Sequence, residues 1–276
     1  MLLPAGPTAE LVALARRHRL TLNTIVQGAW TLLLGRYSGR ADVVFGVTVA
    51  GRPAELAGAE AMVGLFINTL PVRVTVTEDE ALLPWLRALQ ARQVEMRRHE
   101  HSPLVRVQGW SEVPRGRPLF ESILVFENHP GDAAALRGAG GLGVAEVRLL
   151  ERTNYALTVA VIPGAELLVR ILYDARRFDA ATVDRVLGHW RILLEGIAAD
   201  PARRLAELPV LTGDEREQLL HQWNGTEVGL PPHPEGGPAA VADLDRLTDE
   251  ELDTLIHLLR EPTGGMSREP SYRSDG

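Results

Sequence analysis

Apolar positions recur along this chain with two periods, and the switches between them predict its elements. Leu11, Val12, Leu14 and Ala15 share one helical face behind Thr8, which is placed to cap a first helix. Arg16, Arg17 and His18 fall in its last turn, where cations complement the helix dipole. Thr21 is placed to cap a second helix carrying Ile25, Val26, Ala29, Trp30 and Leu33, which Gly35 and the Ser38-Gly39 pair should end. Asp42 to Val49 is rich in β-branched residues and predicts a buried strand, and Ile67 to Val76 predicts a second. Glu80 to Arg98 reads as a long helix with Leu82, Leu86, Leu89 and Val94 inward.

Further on, Ser122 to Phe126 predicts a short apolar strand, followed by a glycine-rich excursion from Gly131 to Gly143. Val144 to Leu150, Tyr155 to Ile162 and Glu166 to Tyr173 read as strands, the last two joined as a hairpin at Pro163-Gly164. Asp179 to Ala199 predicts a final long helix. Helices covering a mixed sheet make an α/β fold, an α+β two-layer sandwich. Past Pro209 the texture changes. Thr212 and Glu215 have capping-box spacing, and Leu230 to Ala240 is a proline- and glycine-rich linker. Thr248 and Glu251 form a second capping box, with Leu247 and Leu252 as its staple, heading an acidic helix. Leu252, Leu255, Ile256 and Leu259 lie along one stripe of that helix, and Gly264 to Gly276 is expected to be disordered.

Composition narrows the classes. The chain has 276 residues, 45% hydrophobic and 24% charged, as expected of a soluble globular protein. No apolar run approaches the roughly 20 residues of a membrane span, and the first residues lack a signal-peptide pattern. With no cysteine, disulfides, thiolate nucleophiles and Cys-ligated zinc are excluded. All 29 basic residues are Arg, which excludes lysine Schiff-base chemistry and a Walker-type phosphate lysine. A net charge of -7 argues against non-specific nucleic-acid binding. These features suggest a bacterial cytoplasmic protein.

Isolated motifs add little. Gly138, Gly140 and Gly143 have the dinucleotide spacing but lead into a strand-like stretch, so a loop is the better reading. His99 and His101 point to opposite sides of a helix and suggest no third ligand, so no metal site is expected. Asn224-Gly225-Thr226 matches a glycosylation acceptor without a secretion route. There is no G-x-S-x-G elbow and no paired-carboxylate constellation.

Longer segments carry a resemblance. TLNTIVQGAWTLLLGRYSG (Thr21 to Gly39), DVVFGVTVAGRPAEL (Asp42 to Leu56) and MVGLFINTLPVRV (Met62 to Val74) resemble the C-terminal lobe of nonribosomal peptide synthetase condensation domains. The subclass most similar joins two L-configured residues. HEHSPL (His99 to Leu104), RPLFESILVFENHP (Arg117 to Pro130), TNYALTV (Thr153 to Val159) and YDARRFD (Tyr173 to Asp179) extend the match. LPVLTGDEREQLLHQWNGT (Leu208 to Thr226) is similar to the linker that leads from such a domain to an adenylation domain.

The resemblance implies a chloramphenicol-acetyltransferase-like lobe. It implies condensation of carrier-bound aminoacyl thioesters, the 4'-phosphopantetheine arms being held by carrier (thiolation) proteins and no cofactor by this chain. The family's H-H-x-x-x-D-G motif sits in an N-terminal lobe, and this chain is expected to begin after it, so no catalytic residue carries over and the chain alone should be inactive. The implied boundaries are 1–209 for the lobe, 210–229 for the linker helix, 230–242 for the proline-glycine linker and 243–276 for the acidic tail. Gly51 to Glu60, with Arg52 and Glu55, matches the loop that floors the tunnel. Gly64 would allow close backbone approach, Phe66 lies in the same motif, and Asn68 and Thr69 would stand beside the thioester or else cap a strand end. Glu127, Asn128, Asn154 and Tyr155 would face the cleft or serve as local hydrogen-bonding residues.

Two functions follow from the resemblance. In one, this chain is the acceptor-side lobe of a condensation site completed by another polypeptide. In the other, it is a non-catalytic remnant or auxiliary that docks on synthetase partners, with Leu252, Leu255, Ile256 and Leu259 either in a partner's groove or packed on their own lobe. Neither involves nucleic acid or a membrane.

Overall fold

Thr21 behaves as its spacing predicts: its side chain accepts from the Thr24 amide and starts helix α2, Leu22–Ser38. The computed structural model describes residues 1–52, 57–127 and 153–223. Expectations for Glu55, Asn128, the Gly131–Gly143 excursion, the Val144–Leu150 strand, Asn224, and the linker and acidic helix with Leu252, Leu255, Ile256 and Leu259 lie outside the described residues.

Helix α1 spans Ala5–His18 and so begins before Thr8. Pro7 is tolerated there because first-turn amides have no intrahelical partner. Thr8 is instead buried, its hydroxyl donating to the Leu3 carbonyl and accepting from the Leu167 amide. Gly35 does not end α2, which runs on to a left-handed cap at Gly39, φ 65°. Helix α3 is Leu82–Arg97, α4 is Leu104–Trp110, α5 is Ala180–Ala199 and α6 is Gly213–Glu217. Helix α4 was not legible in the apolar pattern; seven residues with none buried leave no periodic stripe to read. Val94 faces solvent, 56% exposed, because α3 leaves the core in its second half, and Trp85 is the inward residue instead.

The strands are Leu2–Leu3 (β1), Asp42–Val49 (β2), Asn68–Thr75 (β3), Ser122–Phe126 (β4), Leu157–Ile162 (β5) and Leu167–Tyr173 (β6). They form one six-stranded sheet in the order β1-β6-β5-β4-β2-β3. The central strands β2, β4 and β5 run parallel, and β3, β6 and β1 pair antiparallel at the flanks. The predicted first two long strands pair along their whole length, from Asp42↔Thr75 to Val49↔Asn68. Alternate residues of the sheet (Val43, Phe45 and Val47; Val72 and Val74; Val159 and Val161) join one core with α1, α2, α3 and α5. Helix α2 is its axis: Ile25, Val26 and Ala29 are fully buried, and Trp30 meets Trp190 of α5 at 5.2 Å between ring centroids. Two layers around one core are thus realised as expected.

Candidate functional site

Parallel strands end together, and α/β folds present their ligand clefts at those carboxyl ends. Here β2 ends at Val49 and β4 at Phe126, and beside them opens a cleft of about 1150 Å³. The first turns of α2 supply one wall, with Thr21, Asn23 and Gln27; the second half of α3 supplies another, with Gln93, Met96 and Arg97; Arg52, Glu100 and His101 complete the rim.

The wall between α2 and α3 is knitted by amides. Gln93 Nε2 donates to Gln27 Oε1 at 2.8 Å, Gln27 Nε2 donates to Asn23 Oδ1 at 3.0 Å, and Thr24 Oγ1 donates to Gln93 Oε1 at 2.8 Å. Gln27 is 3% exposed, so these bonds answer the cost of burying its amide. The sequence motifs did not single out Gln27 or Gln93. A glutamine inside the otherwise apolar face of α2 was the available signal.

The loop after β2 is built around Gly51 and Arg52. Gly51 has φ 61°, and a Cβ there would stand 1.9 Å from the Phe66 carbonyl oxygen, so only glycine fits. Arg52 donates to the Ala59 carbonyl and, at 3.1 Å, to the Met62 carbonyl, with its guanidinium 4.2 Å from the Phe66 ring centroid. Gly51, Arg52 and Phe66 therefore form one packed unit at the cleft edge. Gly64 is exposed, and a Cβ there would meet only the Phe66 ring, at 3.3 Å.

Asn68 opens β3 and spends its carboxamide on the backbone. Nδ2 donates to Glu100 O and Ser102 O, both at 2.8 Å, and Oδ1 accepts from the Thr69 amide at 2.9 Å. It thereby ties the turn after α3, which carries His101, to the sheet. Thr69 lies opposite Thr48 in the ladder. Glu127 follows Phe126 at the same end of the sheet, its amide donating to Val161 O at 2.8 Å.

Asn154 and Tyr155 do not reach this cleft. They precede β5, which runs parallel to β4, and so stand at the opposite end of the sheet, where Tyr155 stacks on Phe120 at 5.4 Å. A five-residue strand such as β4 separates the two ends by about 17 Å. Among the described residues no group of three or more His, Cys, Asp or Glu could hold a metal ion.

Residues 1–220 match the family model described as Condensation domain. The chain belongs to the condensation-domain family. One polypeptide of the linear gramicidin synthase of Brevibacillus parabrevis is 46% identical over 277 aligned positions, covering 94% of this chain and 5% of the synthase polypeptide. The chondramide synthase of Chondromyces crocatus is 47% identical over 222, covering 80% and 6%. This condensation-family chain therefore spans only a few per cent of the curated relatives it matches. Its fold is that of holo-AB3403, a four-domain nonribosomal peptide synthetase bound to AMP and glycine, with a TM-score of 0.69 at 18% identity over 78% of this chain and 18% of that one. The first condensation domain of the CDA synthetase superposes with a TM-score of 0.59 at 19% identity, over 77% of this chain and 47% of that one. The condensation fold matched here thus occupies about half of that crystallised domain. Among the described residues of this family member, no helix is long and apolar enough to cross a membrane.

Proposed function

We propose that the cleft is the acceptor-side half of a site for amide-bond formation between carrier-bound aminoacyl thioesters, completed by a histidine-bearing lobe. The observation that carries this reading is the open apolar wall beside the cleft. In the segment that follows the Arg52 loop, Val63 is 104% exposed, Leu65 92%, Ile67 61% and Met62 41%. Alternate apolar side chains of an extended segment left in water call for a covering surface. The half of the crystallised condensation domain that this chain does not match would supply one.

In the reaction, the acceptor amine attacks the donor thioester carbonyl; the C–N bond forms, the C–S bond breaks, and the thiol leaves with the proton that the amine gives up. The amine must be neutral and held in line, which is work for a general base and for positioning. None of the 276 residues forms an H-H-x-x-x-D-G motif, so the base is assigned to the partner lobe. The present residues have positioning roles. Gly51, Arg52 and Phe66 shape the floor, Gln27 and Gln93 brace the α2–α3 wall along which the acceptor arm would lie, and Asn68 holds the His101 turn in place. Donor and acceptor arms, with their phosphopantetheine, arrive on carrier proteins.

The test is reconstitution with paired loaded carriers, followed by mass spectrometry. This chain alone is expected to form no dipeptide above the uncatalysed rate, and adding a histidine-bearing N-terminal lobe that binds it is expected to restore turnover. Multiple turnovers by the chain alone, or none by the bound pair, would overturn the proposal.

A further inference from the structure

His189 is a buried titratable group that the cleft does not use. It lies on α5 beside Trp190 and is 5% exposed. Its Nε2 is 2.7 Å from Glu215 Oε2 on α6, and its Nδ1 is 2.8 Å from the Tyr37 hydroxyl on α2. The same Glu215 oxygen accepts from the Thr212 amide and the Thr212 hydroxyl, each at 2.9 Å.

The Thr212 amide bond, with those from His189 and the Thr212 hydroxyl, holds the Glu215 carboxyl down at about 2, so near neutral pH it is an acceptor only. His189 Nε2 must then carry the hydrogen. In a neutral imidazole the other nitrogen accepts, so the Tyr37 hydroxyl donates to Nδ1. Burial raises the Tyr37 pKa and keeps that hydroxyl protonated.

The chain of bonds closes a longer series. After α5 the backbone doubles back over the sheet end: Leu205 N donates to Glu80 O at 2.9 Å and Ala206 N to Glu78 O at 3.0 Å. Arg36 of α2 donates to Leu205 O at 2.7 Å and to Leu208 O at 2.6 Å, and both leucines are buried. Beyond Leu208, the His189–Glu215 pair is the remaining side-chain hydrogen bond between this strap and the helices among the described residues.

We propose that Tyr37, His189 and Glu215 are a fastener that locks the strap from Leu205 to Glu217 onto α2 and α5. Neighbouring residues of α2 hold successive parts of the strap, Arg36 the first and Tyr37, through His189, the last.

The experiment uses the full 276-residue chain, with amide hydrogen exchange over residues 205–217 and nitrogen NMR of the His189 ring. The wild type is expected to carry a hydrogen on Nε2. His189→Phe keeps a planar ring and the Thr212–Glu215 cap but removes the tie. It is expected to speed exchange at 212–217 by about tenfold or more, the factor for losing a hydrogen bond to a charged group, while α2 and β5 keep their protection. Glu215→Ala should loosen the same segment, and the double variant should add little to the single ones. A ring with no hydrogen on Nε2, or wild-type protection at 212–217 in His189→Phe, would overturn the fastener. Should His189→Phe fail to fold, the wild-type Nε2 hydrogen and the exchange of Tyr37→Phe decide the matter in the same way.

Discussion

Among the described residues, Arg19 is the only non-glycine with a left-handed backbone, φ 56°. It ends α1 as a Schellman turn, with Leu20 N donating to Ala15 O at 2.8 Å and Arg19 N to Arg16 O at 3.3 Å. Gln90 of α3 then spans the corner, its Nε2 donating to Arg19 O at 2.9 Å and its Oε1 accepting from Thr21 N at 2.8 Å. Glycine is the usual residue at such a cap, since any side chain costs roughly 1–2 kcal/mol in this conformation. Arg19→Gly is therefore expected to stabilise the chain by about 0.5–1 kcal/mol, raising the melting temperature by roughly 2–4 °C. A lower melting temperature would show that the guanidinium makes a contact that outweighs the backbone. At this scale the sequence was an uneven guide. Thr21 announced its capping role through its spacing to the apolar stripe. Thr8 has the same residue type before a similar stripe, yet its partners Leu3 and Leu167 are set by the sheet, which local pattern does not encode.

Helices and strands were legible where an apolar face is long. The β2–β3 pair and α2, α3 and α5 lie within a few residues of their predicted bounds, because tertiary burial and local periodicity agree there. The cleft was legible only in part. Gly51 and Arg52 stand in a glycine-marked loop, whereas the Gln27–Gln93 wall depends on how α2 and α3 dock, and the placing of Asn154 depends on the direction of β5. Gly28 shows what docking demands. It sits inside α2, where alanine would favour the helix by about 1 kcal/mol. A Cβ there would stand 2.5 Å from Leu86 Cδ2 and 3.1 Å from the Trp85 ring, both buried on α3. Overpacking a full core costs roughly 1–3 kcal/mol, so Gly28→Ala is expected to lower stability by about 1 kcal/mol net. Chemical denaturation measures it, and a gain in stability would mean that α3 can shift without loss.

At the scale of the whole molecule, one side of the cleft is finished and the other is bare. Core residues close the face toward α2, while Val63 and Leu65 face solvent. Side chains so exposed contribute little to the fold of this chain, and surface substitutions usually stay within about 0.5 kcal/mol. Val63→Ser with Leu65→Ser is expected to leave the melting temperature of the isolated chain unchanged and to weaken its assembly with a histidine-bearing lobe. Differential scanning calorimetry and a titration of the two lobes read the two halves of this statement. A fall of several degrees would place these side chains inside the chain's own packing and remove the case for a bare wall.

The edge strand β1 pairs Leu2 with Leu168 and Leu3 with Leu167. On a ribosome making about 5–20 residues per second, Leu2 waits roughly 10–30 s before its partner strand exists. Meanwhile the apolar faces of α1 and α2 have no sheet to cover them in full. Such long-range closure slows folding and favours sticky intermediates. The nascent chain therefore holds its helices' apolar faces partly uncovered for most of its own synthesis.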